Sequence, residues 1–198
     1  MMFETCVIDN LIDANLQVKI HERIMAADWK FLSDVSGVQG QTYPSHGFAH
    51  VLKHPDSSLS KISPLYDSVS IPLINAIKER GFNVASNYYN RSFLQLPLAP
   101  QYKKEHNGIH VDLPPTIKHV ACVYYVNTSD GDTIVYDQTI NDTPGGSNNV
   151  ALTEHMRVKP TRGRLVMFDG SRYHCSSQPT VNYRCIINFD LIMDEKVK

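Results

Sequence analysis

Cysteine is scarce in this chain of 198 residues: there are four, Cys6, Cys122, Cys175 and Cys185, and no two form a C-x-x-C pair. That excludes a zinc ribbon and a thioredoxin-type dithiol site. Four scattered thiols in a chain this long read as buried residues rather than a disulfide framework. Long apolar runs are missing too. Nothing approaches the ~18 residues of a membrane-spanning helix. The opening Met-Met-Phe-Glu-Thr-Cys lacks the basic start and apolar run of a secretory signal, so the expected setting is cytoplasmic. There is no excess of charge: 19 Lys and Arg stand against 20 Asp and Glu, a formal net charge of -1. That balance places nucleic acid below peptides and small molecules as a partner. Internal repeats and low-complexity segments are also absent. What is present is an ordinary hydrophobic share of 42% and nine histidines. The length predicts a single domain over 1–198, and the sequence leaves monomer and homodimer both open.

Two textures divide the chain. Residues 1–82 read as a supporting region of helices and loops. Ile20, Ile24, Met25 and Trp29 give Val18 to Trp29 a loose helical stripe. Ser63 to Arg80 carries a second helix with Leu73, Ile74 and Ile77 on one face and Gly81 at its C-terminal stop. Pro72 predicts that this helix begins near it, with the proline in the first turn. Residues 33–62 read as loop with short strands. From residue 83 to 192 the chain is β in character, and 193–198 form a tail. Predicted strands include Ser92 to Leu98, His119 to Asn127, Thr133 to Tyr136, Glu154 to Val158, Arg164 to Phe168 and Tyr183 to Ile192. Ser129 to Asp132 carries a turn signal, which predicts that the strand from Thr133 pairs with the one before it. Many short strands without intervening helices point to a double-stranded β-helix, or jelly roll, with the N-terminal helices outside.

The chemistry is concentrated at His110-Val111-Asp112. On a strand, residues i and i+2 point to one face, so an imidazole and a carboxylate converge. His174 follows Asp112 by 62 positions (174 − 112), after a strand-like run. Two His and one carboxylate on one side of a metal form the facial triad of non-haem Fe(II) oxygenases. Such a triad leaves three adjacent coordination positions open. Arg184 lies ten residues beyond His174, and a buried Arg offers a rigid fork for a carboxylate.

H-x-D, a distal His and an Arg ten residues later resemble the 2-oxoglutarate-dependent Fe(II) dioxygenases, in particular the prolyl-4-hydroxylase-like branch. The resemblance runs over residues 92–192 and includes VACVYYVN at Ala121 to Asn127, DGDT at Asp130 to Thr133, and VKPTRGRLVMFDGSRYH at Val158 to His174. It implies that His110, Asp112 and His174 hold Fe(II). It further implies that Arg184 pairs with the distal carboxylate of 2-oxoglutarate, with Tyr125 helping to hold it. The register decides whether Tyr125 or Tyr124 faces the pocket. The implied reaction consumes dioxygen and 2-oxoglutarate, releases succinate and carbon dioxide, and hydroxylates an unactivated C–H bond. Ascorbate is the implied accessory reductant. The implied substrate is peptidyl, of prolyl type, or a small molecule.

Two features depart from that branch. Tyr102 is only a loose match for the aromatic residue before H-x-D. Ile186, Asn188 and Asp190 follow Arg184 on one face, where related enzymes carry an apolar or aromatic residue. Both bear on the substrate side. Elsewhere, His106, His119 and Asn188 read as structural. His46, His50 and His54 read as loop residues at the pocket mouth. Lys159, Arg162, Arg164 and Arg172 form a basic cluster. Residues 33–62 and 138–153 are the expected substrate-facing loops. A non-catalytic jelly-roll binding module and an oxidative nucleic-acid base demethylase or hydroxylase are the alternatives.

Overall fold

The computed structural model describes residues 3–35, 46–55, 62–102, 105–143, 146–147 and 150–194. In chain order the elements are β1 (Cys6–Ile8), α1 (Ala14–Met25), β2 (Lys30–Leu32), β3 (Gly47–Lys53), α2 (Tyr66–Glu79), β4 (Val84–Gln95), β5 (Val120–Tyr125), β6 (Thr133–Thr139), β7 (Glu154–Val158), β8 (Leu165–Asp169), β9 (Arg172–Ser176) and β10 (Arg184–Met193). A seven-stranded sheet has the order β1-β8-β5-β10-β4-β3-β2, and a three-stranded sheet has the order β7-β6-β9. All pairings are antiparallel. This is a jelly roll with two helices on the outer face of the larger sheet. Residues 1–82 supply those helices and also β1, β2 and β3 of that sheet. Among the described residues no helix is long and apolar enough to cross a membrane.

Strict alternation along β5 and β10 builds two apolar layers from one sheet. Cys122, Tyr124, Cys185, Ile187, Phe189 and Leu191 point outward and pack with Ile20 and Ile24 of α1 and Leu73 and Ile77 of α2. Ala121, Val123, Tyr125 and Ile186 point inward to the space between the sheets, where Val135, Val158, Val166 and Phe168 meet them. The inward face of β10 is therefore Arg184, Ile186, Asn188 and Asp190. Three polar or charged positions on one buried strand, Arg184, Asn188 and Asp190, need partners, and the cavity supplies most of them.

Three local expectations change. First, α1 begins at Ala14 because the Asp13 side chain caps it, accepting from the Leu16 amide at 3.0 Å, and it ends at Met25 rather than Trp29. Second, α2 starts at Tyr66 with Pro72 inside it. A proline there leaves the carbonyl four residues earlier without its helical donor. That carbonyl belongs to Ser68, and Arg23 of α1 donates to it at 2.9 Å, so the neighbouring helix supplies the lost bond. Gly81, at φ +91°, ends this helix as predicted. Third, β6 does not pair with β5: it joins β7 and β9 in the other sheet.

The turn between β5 and β6 crosses from sheet to sheet because its acid serves another loop. Asp130 accepts from the Thr180 amide (2.8 Å) and hydroxyl (2.6 Å) and from the Val181 and Asn182 amides (3.2 Å each). Burial would raise its pKa, but these bonds to the charged form win and hold it at about 2. A carboxyl depressed below its unfolded value of ~3.9 adds stability that is fully present above that value and is lost as pH falls through the folded one. Asp130→Asn is therefore expected to unfold at lower urea concentration than the wild type near neutral pH. The gap should narrow as the pH approaches 2. Equal gaps at both ends of that range would contradict this role for Asp130.

Candidate active site

Cross-strand register arranges the floor of the inter-sheet cavity in rows. Arg184 lies opposite Gln95, Ile186 between Tyr125 and Phe93, Asn188 between Val123 and Arg91, and Asp190 between Ala121 and Tyr89. The cavity has a volume of about 510 Å³, and Asp34 and Val35 contribute to its lining from the segment after β2. Among the described residues of 138–153, none lines it. Ile140 and Asn141 instead line a second space of about 780 Å³, beside Pro114 and Pro115, which holds none of the three predicted ligands.

His110, Asp112 and His174 meet in the first cavity, with one ligand atom from each lying within 4.8 Å of the others. His174 is on β9, not in a loop, and opposes Val135 of β6. His110 is joined to it by an isolated antiparallel bridge, its amide donating to the His174 carbonyl at 3.0 Å and its carbonyl accepting from the His174 amide at 2.9 Å. The ring centroids are 4.6 Å apart. The H-x-D segment is thus not a full strand. Beyond the bridge the chain bends into Leu113-Pro114-Pro115, whose prolines have no amide for a ladder. Asp112 still reaches the same point.

Each side chain is oriented by what surrounds it. Nδ1 of His110 faces the Gly108 carbonyl at 2.8 Å, and Nδ1 of His174 faces that of Arg172 at 3.2 Å. A carbonyl only accepts, so both Nδ1 atoms carry hydrogen and both Nε2 lone pairs remain for the centre. Burial, aided by the neighbouring His174, lowers the pKa of His110 to about 4, which keeps its imidazole neutral. Burial would raise the pKa of Asp112, but the neighbouring charge of Arg91 holds it well below the carboxylate range. Its Oδ2 is buried without a hydrogen-bond partner, 3.2 Å from Nε2 of His174. Lone pairs that converge without a proton between them repel unless a cation sits among them. Two imidazole nitrogens and a carboxylate oxygen suit Fe(II). Among the described residues no fourth His, Cys, Asp or Glu joins the group, which leaves it open rather than closed.

Arg184 occupies the opposite end. Its Nε donates to the Gly131 carbonyl (2.8 Å), Nη1 to Gln95 Oε1 (3.3 Å) and Nη2 to Thr133 Oγ1 (2.8 Å). All three acceptors are neutral, and among the described residues no carboxylate forms an ion pair with this buried guanidinium. Tyr125 points inward and Tyr124 outward. The Tyr125 hydroxyl, pushed up to about 12 by burial, donates to Thr133 Oγ1 at 2.8 Å. Thr133 therefore accepts from both Tyr125 and Arg184, so its own hydrogen is left to donate. Thr133 lines the cavity, whereas Tyr125 acts behind it.

Thr133, Gln95 and Arg91 are site residues that local sequence reading misses. Thr133 ends the DGDT run and opens β6, but that run gives it no role of its own, and Gln95 and Arg91 are brought in only by the pairing of β4 with β10. Arg91 donates to Asp112 and to Asp190. Burial and the charge of Asp112 push the Asp190 carboxyl above its ordinary range, while Arg91 opposes them. Nε2 of His119 lies 3.7 Å from Asp190. Asn188, expected to be structural, lines the cavity.

Other candidates fall away from the site. His50 lies within β3, its ring between the Asp28 carbonyl and Ser63 Oγ. His46 stacks on Phe31, and His54 contacts Tyr89. In the basic cluster, Arg164 pairs with Asp9 at 2.6 Å and Arg172 with Asp137 at 3.5 Å, so two of the four charges are locally neutralised.

No protein-family model and no curated protein matches this chain. Solved structures do. An oxidoreductase of the 2OG-Fe(II) oxygenase family from Burkholderia pseudomallei superposes with a TM-score of 0.66 at 12% identity, covering 94% of this chain and 84% of its own. The non-haem α-ketoglutarate-dependent epimerase SnoN from nogalamycin biosynthesis gives 0.62 at 13% identity, covering 96% and 78%. A prolyl hydroxylase from Trichoplax adhaerens, in complex with a hypoxia inducible factor peptide fragment, gives 0.53 at 14% identity, covering 94% and 83%. At these identities the likeness establishes a shared fold, that of 2-oxoglutarate oxygenases including prolyl hydroxylases.

Proposed function

We propose that this protein is an Fe(II)- and 2-oxoglutarate-dependent oxygenase that hydroxylates an unactivated C–H bond of a peptidyl or small-molecule substrate. The observation that carries the proposal is an open set of metal ligands and a buried cation in one cavity. At one end His110, Asp112 and His174 present converging lone pairs. At the other Arg184 is a buried cation whose acceptors among the described residues are all neutral. A buried unpaired charge is costly unless a ligand pairs with it. A dicarboxylic 2-oxo acid answers both ends, with its oxo acid group at the metal and its far carboxylate at Arg184.

Each residue then has a task. His110, Asp112 and His174 hold Fe(II), which with dioxygen and the 2-oxo acid supplies the oxidising chemistry when bound. Arg184 grips the distal carboxylate, and Thr133, fixed by Tyr125, adds a hydroxyl donor. Phe93, Val123 and Ile186 cover the floor between the two ends and exclude water. The volume falls within the roughly 300–1,000 Å³ of small-molecule sites, leaving room for part of a substrate beside the cosubstrate. Asn188 and the segment at Asp34 and Val35 border that remaining space. The solved relatives act on, or bind, both small molecules and peptides, so the fold does not choose between them.

The test is succinate release. Purified protein with Fe(II), ascorbate, 2-oxoglutarate and air is expected to form succinate and carbon dioxide in equal amounts, slowly without the true substrate. No succinate under these conditions, with Fe(II) shown to be bound, would contradict the proposal.

A further inference from the structure

Resting on that reading of the site, the geometry at Arg91 points to a control on how Asp112 binds the metal. Arg91 is on β4, opposite Asn188 of β10, and its side chain is only 14% exposed. Nη2 donates to Asp112 Oδ1 at 2.8 Å and also to Asp190 Oδ2 at 3.1 Å. The guanidinium carbon lies 4.2 Å from the Tyr89 ring centroid and 5.6 Å from that of Phe93, so its plane is held from the aromatic side as well. Asp190 is fully buried. The two oxygens of Asp112 are thereby distinguished: Oδ1 is engaged by Arg91, and Oδ2 alone lacks a partner and faces His174.

That distinction has a chemical consequence. In an octahedral shell, two imidazoles and one carboxylate oxygen leave three positions, whereas a carboxylate bound through both oxygens leaves two. A 2-oxo acid chelating through two atoms and one dioxygen together require three. We propose that Arg91 is a positioning residue that ties back Oδ1, restricts Asp112 to one-oxygen ligation and so preserves the third position. Asp190 anchors the same Nη2 through its Oδ2. Nothing in the H-x-D pattern specifies this, because a short carboxylate beside two imidazoles is free to chelate when nothing holds its second oxygen.

The test counts metal-bound waters with Mn(II) as the probe, using line broadening of the Mn(II) resonance by oxygen-17-labelled water. The wild type is expected to show three waters, falling to one when 2-oxoglutarate is added. Arg91→Met is expected to show two, falling to none. The Arg91→Met, Asp190→Asn double variant removes the buried acid that Arg91→Met leaves behind. It is expected to melt closer to the wild type yet still show two waters, which separates ligation from folding. Asp190→Asn alone, with Arg91 still on Asp112, is expected to keep three. Three waters in either variant that lacks Arg91, or two in the wild type, would overturn the inference while leaving the proposed function standing. Failure of the wild type to bind Mn(II) at all would instead remove the functional reading and this inference with it.

Discussion

His174→Ala is expected to release no measurable succinate and to bind Fe(II) or Mn(II) at least 100-fold more weakly than the wild type. The magnitude follows from its position. In the proposed site His174 is one of three protein ligands, and even the loss of a group behind a ligand typically costs roughly 10–100-fold in affinity. Its ring is fixed from three sides: Nδ1 on the Arg172 carbonyl, an edge contact with Phe168 at 4.9 Å, and His110 at 4.6 Å. No other His, Cys, Asp or Glu among the described residues is placed to replace it. The substitution also opens space beside Phe168, so some loss of stability accompanies it. Metal affinity measured well below the melting temperature separates the two effects. A His174→Ala protein that binds metal within a few-fold of the wild type would show that these residues are not the metal centre.

Arg184→Met is expected to weaken 2-oxoglutarate binding to the metal-loaded protein by about 100-fold, equivalent to about 3 kcal/mol for a charge-assisted pair. Metal affinity should change little, because Arg184 bonds to Gly131, Gln95 and Thr133 and to none of the three ligands. Burial already lowers the pKa of this guanidinium, the direction expected of a cation without a counter-charge. Met keeps most of the volume, and the variant loses the unpaired charge along with its grip. The apo protein is therefore not expected to be less stable by the amount that binding is lost. Calorimetric titration of 2-oxoglutarate into wild type and variant, each loaded with Mn(II), measures the difference. Equal affinities would remove the cosubstrate assignment while leaving a metal site intact.

Much of this architecture is legible in the sequence where side-chain patterns are local. Runs such as HVACVYYV and RCIINFDLI give β5 and β10 through β-branched and aromatic content, and Glu154–Val158 is β7 to the residue. The first half of β4 is not legible, because Asn87, Asn90 and Arg91 look unsuited to a buried strand. Each is answered from elsewhere: Asn87 donates to the Tyr66 hydroxyl, Asn90 donates to the Asn188 carbonyl, and Arg91 meets two acids. Pro72 misleads for the same reason, since the donor that makes a mid-helix proline tolerable comes from another helix. At the site, the H-x-D spacing and the two distal residues are visible in one dimension. Thr133 and Gln95 become visible only when strands from separate parts of the chain are placed side by side. The hairpin expected between β5 and β6 fails because Asp130, a good turn residue, is committed to residues 180–182 instead.

The proposed function requires one ligand to bridge the metal triad and Arg184. Anaerobic addition of 2-oxoglutarate to the Fe(II)-loaded protein measures this directly, because a chelated 2-oxo acid gives Fe(II) a visible charge-transfer absorption that neither component has alone. This band is expected to appear at one equivalent in the wild type, to need far more 2-oxoglutarate in Arg184→Met, and to be absent in His174→Ala. A wild-type protein that holds Fe(II) yet develops no band at saturating 2-oxoglutarate would contradict the proposed function.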